Sequence, residues 1–319
     1  MDWLLQLVEP VQIWLFQEWL LPVLYESGLM GWADEVFDAT GLFLLALCEI
    51  MLLYIFLRPL EGWRPAETRG GATEVRTDVL YTFLYRTGAL PLLFFMFLDP
   101  VVNAMEVKLH GVGIVPPNLE DLLPVLHEQP LLAFILYVVV IDFFEYWRHR
   151  LQHRFDWWWA LHAVHHSQQH MTLWTDERNH LLDGLIQSLW MVVVALLIGV
   201  PGNQFIGIVF LVQAVESLSH TNVRLHFGAI GNRMLVSPCY HRIHHAIGVG
   251  HEGRDRGCNF ATLLPLWDQL FGTANQENYY LKTGIRDQLQ GVDYGRGFLA
   301  QQLLGMKRLV IALGLKKQS

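Results

Sequence analysis

The chain has 319 residues, a mean hydropathy of +0.29, 53% hydrophobic residues and only 16% charged ones. That is too apolar for an ordinary water-soluble domain, so a bilayer is needed to cover the excess apolar surface. A formal charge of −8 argues against a nucleic-acid partner, and three scattered cysteines (Cys48, Cys239, Cys258) with no CxxC pair make no disulfide framework.

Val11 to Leu24 is apolar and rich in Trp, but Gln12, Gln17 and Glu18 interrupt it. It reads equally as an amphipathic interfacial helix or a short spanning one. Its start, Met1-Asp-Trp-Leu-Leu-Gln, lacks a basic region, so no cleavable signal peptide is expected. Gly41 to Leu57 is the first convincing membrane segment, despite Glu49 inside it. A loop bearing Arg58, Arg64, Arg69 and Arg76 follows. Val79 to Leu98 is the second segment, with Arg86 inside and a kink expected at Pro91. Residues 99–130 form a loop with Lys108 and no arginine. Leu131 to Trp147 is the third segment, and it runs straight into a histidine block. Leu185 to Val200 and Phe205 to Leu218 are joined by Pro201-Gly-Asn-Gln; each is short for a full span, which suggests a re-entrant hairpin. Residues 219–297 look soluble, and Phe298 to Leu315, with Lys307 and Arg308 mid-run, reads as an interfacial helix.

Arginine concentrates in loops 58–78, 148–180 and 219–260 and avoids 99–130 and 201–204. The positive-inside rule then puts the three rich loops in the cytoplasm, and alternating the segments gives the same answer. The expected architecture is an all-α membrane protein: a bundle of about four to five transmembrane or re-entrant helices under a cytoplasmic helical cap. Three regions are expected. Residues 1–130 hold the interfacial helix and first membrane helices, 131–275 the catalytic region, and 276–319 a tail.

That cap carries the chemistry. Eight of the fifteen histidines fall in three short blocks: His149 and His153; His162, His165 and His166; His241, His244 and His245. Spacings of three and four put each block's imidazoles on one helical face. Three such faces, with no thiolate nearby, make a site for more than one transition metal. Left without a metal, buried imidazoles would cost about 1–3 kcal/mol per unpaired nitrogen. His220, in Ser219-His-Thr-Asn222 at the end of the fifth segment, is a ninth candidate. Glu177-Arg-Asn-His180 is a single ExxH unit; a soluble di-iron bundle needs two, and HExxH is absent. His170 is left open, while His110, His127, His226 and His251 are isolated and are read as ordinary loop residues. Asp142 and Glu145 precede His149 by seven and four residues, and Glu216 precedes His220 by four. Each could orient an imidazole N–H, or pair with a nearby arginine instead. Asn222 and Asn259 are further candidates for that outer ring. Spacing alone does not choose iron over zinc.

The strings Glu145-Tyr-Trp-Arg-His149-Arg-Leu-Gln-His153, Trp159-Ala-Leu-His162-Ala-Val-His165-His166-Ser167 and Ser237-Pro-Cys-Tyr-His241-Arg-Ile-His244-His245 resemble the fatty acid hydroxylase/sterol desaturase superfamily. Asn259-Phe and Leu266-Trp-Asp-Gln-Leu-Phe-Gly272-Thr continue the likeness over residues 130–275. The family pattern HxxxH, HxxHH, HxxHH is matched at all eight positions. One departure is Asn259-Phe-Ala where many members carry Asn-Tyr-Gly, which bears on the local turn rather than on the metal site. The resemblance implies an integral-membrane, O2-dependent di-iron oxygenase acting on a C–H bond of a lipid, and His220 looks like the additional ligand of related membrane hydroxylases. The expected activity is lipid hydroxylation, at an acyl, alkyl, sterol or headgroup carbon. Alternatives are desaturation, a di-zinc hydrolase or structural dimetal protein (zinc being possible in purified protein), and a lipid-binding scaffold. No electron-transfer domain is seen in the chain, so a separate donor is expected: a cytochrome b5-like protein, a ferredoxin or a reductase. Lys316-Lys317-Gln-Ser319 resembles a dilysine retrieval signal of the endoplasmic reticulum. A bacterial inner membrane is favoured over that compartment.

Overall fold

The computed structural model describes residues 2–68, 70–113, 118–251, 253 and 255–315. Arg69 and the Lys316-Lys317 motif lie outside them. The described residues are helical throughout, apart from loops and a single bridge between Ala246 and Thr283.

The N-terminal segment is longer than its sequence pattern suggests. α1 (Asp2–Leu15) passes through one π-helical turn, Phe16–Leu20, into α2 (Leu21–Glu26). The π turn precedes Pro22, whose ring a regular helix would crowd against a carbonyl four residues back. This unit packs along α3 (Ala33–Trp63), where Gln12 donates to the Phe37 carbonyl at 2.8 Å and Phe16 meets Phe37 edge to face. Gly41 lets Gln12 lie close, since a Cβ there would sit about 3 Å from its amide group.

The expected second segment is not one helix. α4 (Ala72–Arg86) ends at Thr87, Gly88 takes φ +89°, and α5 (Ala89–Gly111) begins after it. Pro91 causes no kink. It sits in the first turn of α5, where the missing N–H would have had no helical partner.

Beyond α6 (Leu119–Leu122), α7 (Pro130–Arg154) carries the third apolar segment without a break into the first histidine block. The chain turns at Phe155 and returns as α8 (Asp156–His166). α9 (Leu181–Ile198) and α10 (Gly202–His220) form the hairpin around left-handed Gly199 and Pro201. Among the described residues, three helices are long and apolar enough to cross a membrane: Met30–Trp63, Pro130–Arg154 and Leu181–Ile198. The last corrects the expectation that both hairpin arms are too short. A core of Tyr137, Ile141, Val194, Ile198, Ile208 and Val215 joins α7, α9 and α10.

The remaining elements build the cap: α11 (Gly228–Met234), α12 (Pro238–His244), α13 (Leu266–Phe271) and α14 (Phe298–Ala312). α14 lies against α8, burying Gln301, Gln302, Gly305 and Leu309 and exposing Leu299, Leu303 and Met306. α12 packs on the end of α10; Ser237 caps it by accepting from Tyr240 N, and Pro238 occupies the first turn.

The two charges that interrupt the first two apolar segments turn out to be partners. Arg86 lies 3.5 Å from Glu49 and also binds Asp176 at 2.6 Å, Glu177 at 3.0 Å and Ser217 at 2.7 Å. One buried guanidinium thus ties α3, α4, α10 and the loop after α8 together. Removing it leaves buried carboxylates without a counter-charge, so Arg86→Ala should destabilise the protein by about 3–5 kcal/mol. Arg86→Lys should recover only part of that, because a compact ammonium with three donors cannot span the four side chains that the guanidinium fork reaches. Thermal unfolding of the detergent-solubilised protein measures both.

Candidate metal centre

All nine candidate histidines meet in one buried space. His149, His153, His162 and His166 form one tetrad, with ligand-capable atoms within 4.8 Å of one another. His165, His220, His241 and His245 form a second, and His244 groups with His166 and His245 between them. Helical geometry explains the sorting. On α8, His162 and His166 are one turn apart and face the first tetrad, while His165 is turned about 60° from His162 and about 100° from His166, into the second. α12 does the reverse. His241 and His245 serve the second tetrad, and the His244 ring lies 4.4 Å from His149 and 4.7 Å from His166.

The ring nitrogens are prepared for this role. Six rings use Nδ1 to reach an acceptor. His149 reaches the Phe260 carbonyl (2.7 Å), His153 that of Arg256 (3.2 Å) and His244 that of Cys258 (2.8 Å). His165 reaches the Arg178 carbonyl (3.1 Å), His220 that of Glu216 (2.8 Å), and His162 the carboxylate of Asp183 (3.2 Å). Each acceptor assigns the proton to Nδ1 and leaves the Nε2 lone pair facing inward. The Nε2 atoms of His149, His153, His162 and His244 are buried with no hydrogen-bond partner. In the second tetrad the Nε2 atoms crowd together: His220 to His241 at 3.0 Å, His241 to His245 at 3.1 Å, and His165 to His220 at 3.4 Å. Nitrogens bound about 2.1 Å from one ion would be about 3.0 Å apart at right angles and about 3.4 Å apart at the tetrahedral angle. The donors therefore fit metal ions. Burial pushes His162, His165, His166, His241 and His245 well below the usual imidazole range, and repulsion between neighbouring rings adds to it; burial takes His244 to about 3. At neutral pH these rings are uncharged and free to ligate.

The carboxylates singled out by spacing do something else. Asp142 binds no imidazole; it accepts from Thr262, from the backbone N–H groups of Leu263 and Leu264, and from Trp267. Glu145 pairs with Arg148 at 2.7 Å. Glu216 touches His220 through its main-chain carbonyl, not its carboxylate. Asn222 accepts from the N–H groups of Ala66 and Glu67, tying the loop after α3 to the end of α10. Asn259 donates to the carbonyls of Tyr240 and Asn275. These residues hold the walls. Asp142 and Asp268 anchor the segment after residue 255, and that segment presents the carbonyls of Arg256, Cys258 and Phe260 to three rings. Arg256 and Asn259 have φ of 56° and 57° within it. In the Asn259-Phe260-Ala261 turn the left-handed residue is Asn259, a type that tolerates it, so Ala261 needs no glycine.

Asp183 was missed from the sequence. Its signal was an acid in the first turn of an apolar helix, and it accepts from Gln152, Trp158 and His162. His180 and His170 lie outside the centre. His180 caps α9 and contacts the Gln302 carbonyl, while His170 sits 3.8 Å from Glu67. His251 stacks on Trp159 at 5.2 Å, with its ring 5.7 Å from His166, so it is a neighbour of the site rather than a distant loop residue.

The profile of the fatty acid hydroxylase family matches residues 134–273, which hold all nine histidines. This segment is a fatty acid hydroxylase domain. Alkylglycerol monooxygenase from Homo sapiens is 31% identical over 148 residues, covering 46% of this chain and 31% of that protein. Ornithine lipid hydroxylase OlsE from Rhizobium tropici is 31% identical over 169 residues, covering 52% of this chain and 48% of its own. Alkylglycerol monooxygenase from Danio rerio is 30% identical over 141 residues, 43% of this chain and 29% of that one. The chain thus spans half or less of the length of these relatives. No solved structure matches it.

Within the fatty acid hydroxylase domain, Gly250 lies against the turn that carries His244 and His245, and a Cβ there would overlap the His244 carbonyl. Gly250→Ala should therefore displace that turn, cost about 1–3 kcal/mol as overpacking does, and lower the metal bound per chain. Elemental analysis of the purified variant beside the wild type reads the loss.

Proposed function

We propose that this protein is a membrane-bound, O2-dependent lipid hydroxylase with two iron ions held by the nine histidines, in a catalytic region spanning 131–275 between an N-terminal membrane part (1–130) and a tail (276–319). One observation carries the reading: two buried, uncharged imidazole tetrads stand side by side with their Nε2 atoms converging. The reaction is C–H + O2 + 2 electrons + 2 protons → C–OH + H2O. When bound, the metal pair would supply the redox chemistry that splits O2. The chain's own residues do the rest. The nine imidazoles ligate without adding negative charge, the carbonyls of residues 256, 258 and 260 set the tautomers, and burial keeps bulk water out.

Several features support a lipid substrate and a site facing the cytoplasm. The relatives are named for alkylglycerol and ornithine lipid chemistry, the helices leading to the site are apolar, and the loops beside it are rich in arginine. Electrons would come from a separate cytosolic carrier.

Two measurements test this. Untargeted lipidomics of cells with and without the gene should show a lipid gaining 16 mass units, whereas a loss of 2 would mean desaturation. Protein purified anaerobically from iron-replete cells should carry iron, and two zincs with no iron would sink the oxygenase reading. His165→Ala and His244→Ala should each lose both metal and activity; full activity in both would instead favour a lipid-binding scaffold.

A further inference from the structure

We propose that Asp183 makes the two tetrads unequal, so that the tetrad of His149, His153, His162 and His166 takes up a divalent transition metal before the other does. The proposal rests on the dimetal reading above and goes beyond it by ranking the two positions.

The argument lies in what stands behind each ring. Asp183 is fully buried, and every group bonded to it is a donor. Gln152 Nε2 reaches both of its oxygens at 3.0 Å, Trp158 Nε1 reaches Oδ1 at 2.7 Å, and His162 Nδ1 reaches Oδ2 at 3.2 Å. Gln152 and Trp158 both donate to it, so both of its oxygens serve as acceptors. Arg148 supports it indirectly, donating to the Gln152 carbonyl oxygen at 2.8 Å while paired with Glu145. His162 is therefore backed by a carboxyl oxygen through one hydrogen bond, where the other fixed rings meet main-chain carbonyls. That makes its Nε2 a stronger donor and draws a cation toward the first tetrad.

The second tetrad has no such support. His165 and His220 lean on neutral carbonyls, and Nδ1 of His241 and of His245 meets no protein acceptor. Among the described residues, no carboxylate accepts from a ring of this tetrad. Its rings are also less constrained. Acceptors fix two of its four, against three of four in the first tetrad, so binding there must order more side chains. Asp183 acts through His162 and is a positioning residue.

Cobalt(II) titration of metal-free protein in detergent, followed by visible absorption, tests the ranking without any turnover. Wild type should bind in two steps. In Asp183→Asn the tighter step should weaken by about 10–100-fold, the usual cost of losing a partner behind a metal-bound imidazole, while the weaker step stays put. Two unchanged steps, or equal weakening of both, would overturn the proposal. A second measurement needs no variant. Crystals of wild type loaded with one equivalent of cobalt should give their anomalous signal at the His149, His153, His162 and His166 tetrad. Equal signals, or a preference for the other tetrad, would overturn the ranking and leave the dimetal reading standing. Wild type that binds no cobalt would overturn both.

Discussion

A buried imidazole has two ring nitrogens to satisfy, and here nine rings meet in one buried space. The chain meets a third of that demand itself, by aiming Nδ1 of six rings at carbonyls or a carboxyl oxygen. Nε2 of His149, His153, His162, His166 and His244 is left with no protein partner, and in the second tetrad the Nε2 atoms meet only one another. Four helices must cross at one point to bring this about: the end of α7, the whole of α8, the end of α10 and α12. The core of α7, α9 and α10 sets where those ends fall, and the Asp142 and Asp268 anchors set where the last segment closes over them.

The same economy governs the charges around the centre. Arg86 gathers Glu49, Asp176 and Glu177, Arg178 pairs with Asp78, Arg148 with Glu145, and Arg242 with Glu67. None of these pairs touches a metal-facing nitrogen. The pairs of Arg86, Arg178 and Arg242 join segments far apart in the chain, and that of Arg148 lies within α7, so that the crossing point is held from outside. Buried ion pairs add little net stability but penalise the loss of either partner. They therefore favour one arrangement of helices over its alternatives.

The two carboxyl groups that spacing places beside His149 meet other partners, for a simple reason. Spacing on α7 placed Asp142 and Glu145 on the histidine face, but a helical face is wider than one side chain. Asp142 is seven residues from His149 and meets the returning loop instead, while Glu145 meets Arg148 one turn on. The acid that does hold a ring, Asp183, is 21 residues from His162 and on a different helix. The carbonyls of Arg256, Cys258 and Phe260 have no side-chain signature at all.

The sequence alone determined what depends on neighbours within a turn or two: apolar runs, the breaks between them, and three histidine blocks whose periodicity demands one face each. It also marked His220, because a histidine ending an apolar helix is conspicuous. Tertiary structure decided how these blocks divide. His165 and His166 are adjacent in the chain yet serve different tetrads, and His244 stands outside the tetrad of His241 and His245, grouping with His166 and His245 between the two. It also decided that Gly88 breaks the second segment and that Glu49 finds Arg86. Those outcomes depend on where helices far apart in the chain cross. Local periodicity fixes the direction of a side chain about its own helix axis but not what it meets there.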